Sequence, residues 1–132
     1  MSEILVPVSF GELLDKLSIL YIKSERISDA QRLENVRDEL AALEHVWADH
    51  PAAAHDVSEL CQQLKAVNEQ LWEIEDAIRL KEKAQEFDDA FVQLARQVYI
   101  RNDERARLKK EINLALGSRY VEEKSYQDYT AT

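Results

Sequence analysis

Residues 57–78 read VSELCQQLKAVNEQLWEIEDAI. Apolar side chains fall at Val57, Leu60, Leu64, Val67, Leu71, Ile74 and Ile78, in steps of three and four. A half-buried strand would alternate every second residue, whereas this spacing gathers all seven on one side of a helix. The opposite side carries Gln, Glu and Lys. The stretch therefore predicts an amphipathic bundle helix over 57–83, entered through a cap-like Asp56-Val57-Ser58-Glu59.

The same period recurs on either side. Upstream, Ser9-Phe10-Gly11-Glu12 has the form of a capping box and opens a helix over 10–27, whose main stripe is Phe10, Leu13, Leu14, Leu17, Leu20 and Tyr21. A second, mixed stripe of Asp15, Ile19, Ile22 and Arg26 lies opposite, which predicts a helix covered on two sides, the second side by a partner. Leu33, Val36, Leu40, Leu43 and Trp47 mark a helix over 30–48, broken by ADHPAAAHD. Downstream, Asp88 or Asp89 caps a helix over 89–116 that stops at Gly117. EILVPV in the arm 1–8 is short, apolar and barred from helix by Pro7. The tail 117–132 is polar with three tyrosines and is expected to pack on the surface. These elements predict one all-α domain over 1–132, an antiparallel four-helix bundle with an extended N-terminal arm.

Composition agrees and narrows the function classes. The chain has 132 residues, 45% hydrophobic and 33% charged, with only two Gly and two Pro, which starves a sheet protein of turns. Its formal net charge of −9 disfavours broad binding to nucleic acid or anionic membrane. The arm is neither a signal peptide nor a membrane span, and the single Cys61 suits a reducing compartment, so a cytoplasmic protein is expected.

The exception to the pattern is VYIRNDERARLKKEI, residues 98–112. At about 100° per residue, Asn102, Arg105, Lys109 and Asn113 share the core-facing side with Val98, Ile112 and Leu116. Cations placed there must be paired, reach water or hold an anion. Hairpin geometry brings Asn68 and Glu75 alongside, and the start of the first helix adds Glu12, Asp15 and Lys16. Two readings compete. In one, an ion-pair network fixes helix register. In the other, Glu12, Asp15, Lys16, Asn68, Glu75, Asn102, Arg105 and Lys109 line a pocket where Arg105 and Lys109 clamp an anionic small molecule such as a nucleotide or sugar phosphate. No nucleophile–base pair emerges from these residues, so an enzyme is not assigned.

Other signals carry less. Glu12-x-x-Asp15 and Glu73-x-x-Asp76 have the carboxylate spacing of helical magnesium-dependent nucleotide pyrophosphatases, but acids three apart recur on any acidic helix. His45, His50 and His55 read as surface residues, and neither a metal nor a cofactor is expected. Trp72 shares an outward face with Asp76 and Arg79, so it either receives the arm or tail or marks an interface together with Ile19, Ile22 and Arg26.

LVPVSFGELLDKLSIL, IKSERI, ENVRDEL, LWEIEDAIR, VYIRNDERARLKKEIN and VEEKSY resemble, in the same order, a family of small bacterial proteins known only as a domain of unknown function. The resemblance covers nearly the whole chain except the connection around 48–60. It implies a setting in lipopolysaccharide and surface-glycan synthesis. Taken with the mixed stripe of the first helix, the arm and Trp72, that setting gives the alternative reading, a non-catalytic adaptor or oligomerisation module that forms a homodimer or docks on an envelope-synthesis protein. The resemblance implies no activity and no catalytic residues. It also places Glu122 to Tyr126 near the polar end of the bundle.

Overall fold

The computed structural model describes residues 2–130 and is all-helical, with no strand among them. α1 spans Phe10–Arg26, α2 Ala30–Asp49, α3 Ser58–Ala84 and α4 Asp89–Leu116, with a short 3₁₀ turn at Pro51–Ala54 between α2 and α3. No helix among the described residues is long and apolar enough to cross a membrane.

Local chemistry sets the ends. Ser9 Oγ accepts from the Glu12 amide at 3.1 Å, which is one half of a capping box. The Glu12 side chain does not close the other half; it turns to α4 (below). Asp29 and Asp88 accept from the Gln31 and Phe91 amides and open α2 and α4. α3 has no side-chain cap at Val57, but Asp56 just outside accepts from the Ser58 amide at 3.0 Å. At the other ends α4 stops at Gly117, φ 66°, and α3 stops at Gln85, φ 57°, a left-handed position filled by a residue with a Cβ. His50, read as a plain surface residue, caps the 3₁₀ turn through Nδ1 and stacks edge-on against Phe10.

α1 is the central element, in contact with α2, α3 and α4, while α2 packs chiefly on α1 and the 3₁₀ turn. Leu14, Leu17 and Leu20 of α1 meet Leu40, Leu64, Val67, Leu108 and Ile112 in a single core. Its tightest crossing is at Gly11. A Cβ built there would stand 2.5 Å from the Lys109 carbonyl oxygen, so only glycine lets α1 come this close to α4. The Gly11 amide, one of the unpaired donors of a helix start, donates instead to Asn113 Oδ1 at 2.7 Å.

α3 and α4, of 27 and 28 residues, are longer than α1, of 17, whose last turn reaches Glu69 and Glu73 of α3. From residue 69 to residue 107 no side chain is buried, although the stretch holds the second half of the α3 seam. The N-terminal arm is also uncovered: Ile4 and Leu5 are 88% and 87% exposed.

Candidate functional site

Asp15 is the hub. Its residue is 1% exposed, and its carboxylate sits where α1, α3 and α4 meet. Arg105 approaches as a fork, Nε donating to Oδ1 at 3.0 Å and Nη2 to Oδ2. Asn68 Nδ2 donates to the same Oδ1 at 2.9 Å and to Ser18 Oγ at 2.7 Å. Ser18 Oγ in turn donates to the Asp15 carbonyl at 2.7 Å. Three helices are thus joined by one buried acid, and no buried side-chain nitrogen or oxygen among the described residues is left without a partner.

One helical turn away Lys109 repeats the pattern. It is 7% exposed and donates to Glu12 at 2.8 Å and to Glu122 of the tail at 2.9 Å, with Asp15 Oδ2 at 4.0 Å. Burial alone pushes the Lys109 ammonium down, but the hydrogen bonds to Glu12 and Glu122 and the charge of Asp15 outweigh it, and the group lies above its ordinary value. The same bond holds Glu122 below the ordinary carboxylate range. Hydrogen bonding to Asp15 raises Arg105 despite desolvation. The cations of the polar gap therefore already hold internal anions. Lys109 directs two of its three N–H groups at Glu12 and Glu122, so an anion held there would share the ammonium with two acids.

The eight residues expected to line one pocket divide. Glu12, Asn102, Arg105 and Lys109 line a small polar cavity of about 250 Å³ under the tail. Asn68, Glu75, Asn102 and Arg105 line a larger open groove of about 430 Å³ on the other side of the Arg105 side chain. Asp15 lines neither, but it bonds Arg105, which lines both. Lys16 belongs to neither. It faces α2 and pairs with Glu39 at 3.5 Å, because the next residue along a helix turns about 100° away from Asp15.

The expected partner face is likewise rearranged. Ile22 is 1% exposed and forms part of the groove floor, so it is not available to a partner. The second stripe of α1 is real, but α3 and α4 of the same chain cover its Asp15 and Ile22. Arg26 is spent on Glu69 and Glu73 of α3, at 3.5 and 3.3 Å. Ile19 and Trp72 stay half-exposed at the groove wall. The arm does not cover Trp72, since its own apolar side chains stand in solvent.

The groove holds what the sequence reading missed. Leu71 and Lys23 join Ile19, Ile22 and Trp72 in lining it. The only hint was Lys23 inside the IKSERI block. Among the described residues, no side-chain hydrogen bond or ion pair engages Lys23, Asn102 or the Trp72 indole, and Arg105 bonds Asp15 through Nε and Nη2 only. The carboxylate pairs show no metal-binding arrangement. Asp15 is occupied by a guanidinium, and no group of three or more His, Cys, Asp or Glu side chains among the described residues is placed to hold an ion.

Residues 4–132 match the family described as "Family of unknown function (DUF6165)". No curated protein matches the chain. No solved structure matches it.

Proposed function

We propose, for a chain that belongs to the DUF6165 family, that it is a non-catalytic docking and assembly module. On this reading the antiparallel bundle holds its own charges in internal pairs and displays the turn-proximal half of the α3–α4 hairpin to another protein. The observation that carries it is the unburied run from 69 to 107. A two-helix hairpin with a regular apolar seam gains little stability until a further surface covers it. The exposed Ile4-Leu5-Val6 arm supports the same reading, because an apolar extended segment with unpaired backbone suits pairing with a second chain. The cytoplasmic, surface-glycan setting implied by the resemblance, with an envelope-synthesis protein as partner, belongs to this proposal.

Amide exchange on the dilute, isolated chain tests it. Amides of 71–100 should exchange as a low-stability unit while those of Leu14–Leu20 stay protected. Equal protection of the two regions would overturn the reading.

A second reading is favoured by one specific observation, the uncommitted Lys23, Asn102, Trp72 and Arg105 Nη1 donors around the groove. They suit an anionic ring-bearing molecule such as a nucleotide or sugar phosphate, stacked on Trp72. Arg105 is a poor test residue, since its loss strands Asp15. Stabilisation by such ligands that disappears in Lys23→Met and Asn102→Leu is the expected result, and no thermal shift with any of them would remove this reading.

A further inference from the structure

The outward stripe of α3 carries a charge order that identifies its occupant. Trp72, Asp76, Arg79 and Lys83 fall within about 60° of one another around the helix axis. The order along the stripe is aromatic, acid, base, base. Among the described residues Asp76 has no ion-pair partner, and the only side-chain bond of Arg79 is an exposed one to Glu75 at 3.3 Å, a kind of pair worth little. Leu80, at the edge of the stripe, is 66% exposed.

We propose that this stripe binds a second copy of the chain, α3 against α3, antiparallel about a two-fold axis passing between Ala77 and Ile78. The proposal rests on the docking reading above and names its partner and surface. Reversing the stripe onto itself sets Asp76 opposite Arg79 of the second copy and Trp72 opposite Lys83 of the second copy, and the two-fold generates each pair twice. The first is an ion pair and the second a cation–π contact. Leu80 is covered at the flank. A uniformly acidic partner would meet a like charge at Asp76 and a uniformly basic one at Arg79 and Lys83, whereas the reversed stripe sets no like charges opposite each other. With a net charge of −9 per chain, two copies repel at long range, and association needs a local complement of this kind.

Charge reversal on the full chain tests the register by sedimentation velocity. Asp76→Arg and Arg79→Asp should each weaken the dimer by about tenfold or more, with helix content unchanged because both positions are exposed. The double variant D76R/R79D restores the pair in the opposite sense and should return the dimer to near wild-type affinity. Single reversals that leave the dimer intact, or a double variant no tighter than the singles, would overturn the proposal while leaving the docking reading in place. A wild-type chain that stays monomeric would also overturn it. The docking reading then falls as well only if the hairpin amides are as protected as the core.

Discussion

Asp15 accepts a guanidinium fork and an amide at 1% exposure, so each partner is held by the others and by the lack of water. Arg105→Met removes the only full charge bonded to that carboxylate. The expected cost is about 3 kcal/mol in urea denaturation, at the lower end for broken buried pairs because the Arg105 side chain is 30% exposed and Lys109 stands near. Gly11→Ala should also destabilise, by about 1–3 kcal/mol, since the added methyl meets backbone at 2.5 Å and backbone cannot swing aside. The tail contact predicts a pH effect. Glu122 is held below its ordinary 4.5, so its contribution is full above that value and is lost as pH falls through the folded-state pKa. Lys109 lies above its ordinary 10.5, so its contribution persists through neutral pH and is lost as pH rises through its raised value. The urea midpoint of Glu122→Gln should therefore fall less steeply on the acid side than that of the wild type. An identical acid limb would show that the tail contact does not contribute.

At the scale of elements, the legible features are the local ones. Ser9, Asp29 and Asp88 announce helix starts because a cap is decided by residues within one turn, and Gly117 announces a stop for the same reason. Gln85 does not, because nothing in its side chain favours the left-handed region it occupies. Gln85→Gly should accordingly raise stability by about 0.5–1 kcal/mol, read as a shift in melting temperature. The inward turn of Asn102, Arg105, Lys109 and Asn113 also follows from periodicity. What they bind does not. Glu12 looks like the reciprocal half of a capping box until Lys109 is seen beside it, and Lys16 looks like its neighbour until α2 is placed. Periodicity gives the angle of a side chain around its own helix, and only the crossings decide what stands at that angle. The second stripe of α1 is the clearest case, since Asp15 and Ile22 face the same chain rather than a partner.

Across the whole molecule, apolar content and apolar burial do not coincide. Hydrophobic residues make up 45% of the sequence, yet the buried set is confined to α1, one residue of α2, the 3₁₀ turn and Val57 after it, the first half of α3 and the last half of α4. Sequence pattern could not reveal this division, because the α3 seam runs unbroken from Val57 to Ile78, through buried Leu64 and Val67 and half-buried Leu71, Ile74 and Ile78 alike. The buried core is crossed by the Asp15 hub, which ties α1 to α3 and α4, while no residue from 69 to 107 is buried. On the docking reading, the turn-proximal hairpin is where a second protein surface would add most to stability. Light-scattering mass measured over a wide concentration range, for the wild type and for Leu80→Glu, tests most directly whether that second surface is another copy of the chain. Pairing through α3 predicts a wild-type mass that rises from one chain to two while Leu80→Glu remains at one. A wild-type mass of one chain at every concentration would contradict that pairing.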